Sequence, residues 1–157
     1  MRGAAAECRR LLAQAHACLD DLDERDELEA PWLAGVGGRV HVESGAAAAL
    51  RDIAVRTAGV PPARLATAAA ERALDLLPAQ QRPARLLFTL RLADGHACAG
   101  EPEAALAIAG PALSEVADIQ DSLIRQELNG LRNRLTAKWS HHQGVRDFTD
   151  RLRSPAR

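Results

Sequence analysis

The stretch GEPEAALAIAGPAL, residues 100–113, decides the fold. Gly100 can take the left-handed turn that ends a helix, and Pro102 suits the first position of the next one, where its missing N–H would be unpaired anyway. The run that follows places Ala105, Ala109 and Ala112 on one helical face. A helix normally fills such a face with leucine. Small side chains there predict a close crossing with a neighbouring helix, near the short end of the roughly 8–10 Å range.

The same pattern occurs 39 residues earlier. LATAAAERALDLLP (65–78) aligns with AALAIAGPALSEVA (104–117), pairing Ala66 with Ala105, Ala70 with Ala109, Ala73 with Ala112 and Leu74 with Leu113. A further helical segment precedes each copy, so the repeating unit is a helix pair. Composition agrees. Hydrophobic residues make up 47% of the 157 residues but aromatics only 3%, and there is no tyrosine. Alanine and leucine are strong helix formers, and strand-forming residues are scarce. The expectation is one all-α domain over residues 1–157, built of six or seven antiparallel helices.

The helices read along the chain as follows. Residues 4–22 carry Cys8, Leu11, Leu12, Ala15, Cys18 and Leu19 at helical spacing. Residues 30–45 hold Pro31, Gly35, Gly37, Gly38 and Gly45 and are expected to be mostly loop. Ser44 then caps a helix over 45–58 that closes at Gly59. Helices over 63–77, 84–99 and 102–117 come next, the last loosened by Pro111. Asp118 or Asp121 caps a helix to Lys138, and residues 143–153 form a final one.

Net charge is −1, so no global charge points to nucleic acid or to a membrane surface. The distribution is uneven. DDLDERDELE (20–29) holds seven acids and one arginine, whereas from Leu123 onward there are eight basic and three acidic residues. This split reads either as two solvated helix ends or as an electrostatic docking face, with a homodimer or head-to-tail association as one option. The three cysteines are odd in number and lack a C-x-x-C pair, which fits reduced thiols in the cytoplasm. No apolar run approaches membrane-spanning length, and MRGAAAECRRLL at the start has no secretory h-region.

The search for chemistry finds no enzyme. His141 and His142 are adjacent and point apart, so they read as a polar turn rather than a metal site. His96 and Cys98 are two apart and face away from each other on a helix. GVGG (35–38) lacks the lysine of a phosphate loop. The acidic stretch lacks the glycine of a calcium loop. No metal or cofactor is expected. Trp32 and Trp139 read as anchors of the core or of a cap, and an exposed Trp32 would be a binding hot spot.

The helix pairs resemble the tetratricopeptide repeat, a helix–turn–helix unit of about 34 residues. Leu92 and Ala93, Gly100, Ala105 and Ala112 stand at the repeat's marked positions in the second copy. Ile53 and Ala54, Ala66, Ala73 and Pro78 do so in the first. The consensus tryptophan and tyrosine are missing, and His96 stands where tyrosine is usual. The two units span residues 47–117, with 1–46 and 118–157 as degenerate or capping helices. Through PWL (31–33), ERALDLLP (71–78), LADGHACAGEPEAA (92–105), RQELNGLRNRL (125–135) and GVRDFTDRLR (144–153), the chain is also similar to the C-terminal repeat region of actinobacterial helix-turn-helix regulators of the XRE type, without a DNA-reading half.

These resemblances imply a short solenoid with a concave face formed by the first helix of each pair. The groove positions they imply are Arg51, Val55, Leu87, Leu90, Asp94 and Cys98, a surface more apolar than basic. The implied function is a non-catalytic module that binds a protein or peptide, regulatory in role, with no direct contact to nucleic acid. The alternative is a sensor of a small molecule or signal peptide that acts on transcription through another chain.

Overall fold

The computed structural model describes residues 3–116 and 121–153. Among them are eight α-helices and one 3-10 turn, and no strand. The helices are α1 (Gly3–Asp20), α2 (Glu24–Glu29), α3 (Gly35–Thr57), α4 (Val60–Leu76), α5 (Arg82–Ala99), α6 (Pro102–Val116), α7 (Ser122–Trp139) and α8 (Gln143–Arg153). The 3-10 turn, Pro31–Leu33, joins α2 to α3.

Neighbouring helices pack in pairs, and the pairs pack on one another. Helix α3 lies on α4, and α5 lies on α6. Helices α3, α5 and α7 touch in series and form one layer, while α4 and α6 cover its other side. Helix α8 closes the stack against α6 and α7. Helices α7 and α8, in the segment expected to be degenerate or capping, also touch each other. At the other end α1 packs on α3.

The small residues sit where the repeat puts them. Ala66, Ala70, Ala73, Ala105, Ala109 and Ala112 are all buried. Ala66 and Ala70 join Ala46, Ala47, Leu50 and Leu92 in one apolar cluster. Ala105, Ala109 and Ala112 join Leu86, Leu90, Ile124, Leu131 and Phe148 in the largest. The α4–α5 crossing is equally tight. A Cβ on Gly95 would lie 2.7 Å from Thr67 Cγ2.

Helix ends follow local chemistry. Gly100 ends α5 in a left-handed conformation, φ 87°, with Glu101 N–H donating back to His96 O. Asp121 caps α7, its carboxylate accepting from Leu123 N and Ile124 N. Asp118, the other candidate cap, lies outside the described residues. The acidic stretch forms its own capping box: Asp23 accepts from the Arg25 and Asp26 N–H groups, and Asp26 accepts from Asp23 N. The turn after α3 is made by Ala58, φ 48°, rather than by Gly59.

The structure corrects the reading of residues 30–45. Helix α3 begins at Gly35 and runs 23 residues, so Ser44 lies mid-helix and caps nothing. Glycine lowers helix propensity by about 1 kcal/mol per residue relative to alanine, yet tertiary packing overrides it here. A Cβ on Gly38 would sit 2.0 Å from the Leu33 carbonyl oxygen and 2.8 Å from Leu19. Only glycine lets the start of α3 pass this close under the preceding turn and α1.

Candidate functional site

The layer formed by α3, α5 and α7 carries two tiers of polar side chains, one residue from each helix in each tier. In the first tier Arg91 Nη1 donates to Ser44 Oγ at 2.8 Å, and Arg91 Nε donates to Glu127 Oε1 at 3.0 Å. In the second, Arg134 grips Asp94 through both oxygens at 2.6 and 3.1 Å, and Arg51 Nε lies 3.6 Å from Asp94 Oδ2. Arg51 ties the tiers together by donating to the other Glu127 oxygen. That bond joins α3 to α7 across α5, residues 76 apart in sequence.

Spacing explains the tiers. Ser44 and Arg51 are seven residues apart, as are Glu127 and Arg134, while Arg91, Asp94 and Cys98 follow at three and four. Each set lies on one face of its helix. Asp94 is 2% exposed and Glu127 is also buried, so both carboxylates depend on these arginines for stabilisation. Burial would lower the Arg51 pKa, but the charges of Glu127 and Asp94 outweigh it and raise it. The hydrogen bonds to Asp94 raise that of Arg134. Arg51 and Arg134 stay charged.

The expected groove residues fall unevenly on this face. Arg51 and Asp94 meet in the ionic cluster, Asp94 buried rather than lining an open surface. Cys98 is half-buried beside them. Burial and then Asp94 push its thiol up, only partly offset by Arg134, Arg51 and Lys138, which disfavours the thiolate. Val55 is 46% exposed. Leu87 is half-buried against the main cluster. Leu90 is 0% exposed and belongs to the core, not to a groove; one residue on, Arg91 faces the layer. The centre of the expected apolar groove is thus filled by the chain's own ion pairs. The sequence reading missed Arg91, Glu127 and Arg134. The seven-residue spacing and opposite signs of Glu127 and Arg134 were the only signal, and it says nothing about which helices meet.

An apolar groove does exist, on the α1 side of α3. It lies between α1 and α3, has a volume of about 680 Å³, and is lined by Cys8, Leu11, Leu12, Ala46, Ala49 and Ile53. Glu7, Asp52, Arg56 and His41 stand on its edge. Helix α1 runs antiparallel to α3. Its Asp20 accepts from Arg39 at 2.6 Å, its His16 meets Glu43 at 2.9 Å, and Cys8 and Leu12 rest on the Ala46–Ala47–Leu50 cluster. No residue of α1 is buried, and Leu11 is 51% exposed.

Glu43 anchors this end. Its Oε1 receives both His16 and Arg72 Nε, each at 2.9 Å, while its buried Oε2 has no hydrogen-bond partner. Two other histidines have one carboxylate partner each. His96 pairs with Glu101 at 2.7 Å and His142 with Glu103 at 3.1 Å, and His141 is exposed. Among the described residues no three His, Cys, Asp or Glu side chains cluster as metal ligands would. No helix there is long and apolar enough to cross a membrane. Trp32 is exposed and meets His41 edge-on, with ring centroids 5.5 Å apart.

Comparison with protein-family models, with curated proteins and with solved structures finds no match.

Proposed function

We propose that this chain is a non-catalytic protein-interaction module of helical-repeat type, and that it takes a helix presented by another chain in the groove between α1 and α3. The observation that carries this reading is the groove itself, about 680 Å³ and apolar, beside a helix none of whose residues is buried. A partner helix would cover Leu11, Ala49 and Ile53 as α4 covers the other side of α3. The stacked helix pairs and their buried alanines support the tetratricopeptide resemblance as part of the same proposal. The ionic cluster makes the α3–α5–α7 face the weaker site, because a ligand there would have to displace bonds to two buried carboxylates.

A small-molecule sensor fits less well. Ligand pockets of about 300–1,000 Å³ bury most of their ligand, whereas this groove is open along its length. The free thiols of Cys8, Cys18 and Cys98 suit a reducing compartment such as the cytoplasm.

Site-specific photocrosslinking in cells tests the proposal. A photoreactive residue at Ala49 should form a protein adduct, and one at Val55 should not. Adducts at Val55 alone would place docking on the ionic face and overturn the reading.

A further inference from the structure

The groove and the outer side of α1 form one apolar stripe. Ala4, Cys8, Leu11 and Ala15 line the groove, and the exposed Cys18 continues the line one turn beyond. The spacings are four, three, four and three, the pattern by which a helix meets a second helix along a seam. The stripe maps onto itself when the helix is reversed about Ala13. Position 8 then falls on 18, and 11 on 15.

Charge follows the same reversal. The first turn of α1 holds no acid, and its N-terminal end carries the positive pole of the helix dipole. Arg56 stands at that end of the groove, since α3 runs antiparallel to α1, and Asp52 beside it is paired to Arg51 at 3.4 Å. The opposite end of α1 leads into Asp20, Asp21 and Asp23; among the described residues only Asp20 is held by a basic partner, Arg39. A reversed copy brings those acids to the α1 N-terminus and to Arg56. It also brings Glu7, paired within its own helix to Arg10, to the end where His41 stands. A two-fold interface has to be complementary to itself in this way.

We infer that the helix taken by the α1–α3 groove is α1 of a second copy of this chain, docked antiparallel about a two-fold axis near Ala13. This rests on the groove reading above and names its occupant. Leu11 of each protomer faces Ala15 of the partner subunit, and Cys8 faces Cys18 of the partner subunit. The four helices, α1 and α3 from both copies, close the end of each stack.

The test uses the purified full-length chain in a Cys98→Ala background. Sedimentation should give twice the 16.8 kDa protomer mass. Oxidised glutathione should then join the dimer covalently, each Cys8–Cys18 thiol pair losing two protons and two electrons to the added disulfide. Cys8→Ala and Cys18→Ala should each lose the cross-link while remaining dimeric and helical by circular dichroism. An equimolar mixture of the two should regain it, since one variant keeps Cys18 and the other keeps Cys8. A monomer, a cross-link that survives Cys18→Ala, or a mixture that stays uncross-linked would each overturn the inference. If the chain is monomeric yet photocrosslinks through Ala49 to a different protein, the groove reading stands and only its occupant is wrong. If both experiments fail, both readings fall.

Discussion

Asp94→Asn probes the ionic tiers directly. The carboxylate is 2% exposed and accepts two bonds from Arg134 at 2.6 and 3.1 Å, with Arg51 Nε at 3.6 Å. The amide keeps the shape but removes the charge, and its NH₂ faces a guanidinium donor. Arg51 retains Glu127; among the described residues Arg134 has no other carboxylate partner. Breaking a buried pair by removing one partner costs about 3–5 kcal/mol. Both arginines keep some solvent access, at 17% and 22%, which favours the low end, so the expected loss is about 3 kcal/mol. For a chain of this size that corresponds to a Tm lower by roughly 6–12 °C. Urea unfolding should show a lower midpoint at unchanged slope. The companion variant Arg134→Met should lose less from the Asp94→Asn background than from wild type, because the two share one interaction. A loss under about 1 kcal/mol, the value of an exposed pair, would refute the claim that this cluster locks α3, α5 and α7 together.

Two further outcomes follow from the packing and the thiols. Ala105→Leu should overpack the α5–α6 crossing and lower stability by about 1–3 kcal/mol, and an unchanged melt would show that the alanine face is not a tight contact. Burial pushes the Cys8 and Cys98 thiols up, so iodoacetamide should label the exposed Cys18 first, and labelling of the other two should catch up as pH rises. Because the folded-state thiols titrate above their unfolded values, their contribution to stability is full below the ordinary thiol range and is lost as pH rises through it. Equal labelling of all three at neutral pH would contradict the burial.

Periodicity along the chain is a local property, and the sequence determined what depends on it. The all-α class, the helix breaks at Gly100 and Asp121, and the alanine faces on α4 and α6 were all legible, because each depends on residues within a few turns of one another. The repeat resemblance put Arg51 and Asp94 near one another, but as lining of an open groove rather than as the buried ion pair they form. Tertiary structure alone decided the rest. The glycines at 35–38 read as loop because propensity counts only the local cost, whereas the close approach of Gly38 to Leu33 and Leu19 turns that cost into a requirement. Nothing in the sequence singled out Arg91 and Arg134, because their partners lie 36 and 40 residues away. Whether such residues meet depends on how far each helix is rotated about its axis and slid along it. Those two quantities are set by the packing of side chains between helices, so a face filled with carboxylates and arginines, and an apolar groove beside α1, emerge only when the helices come together.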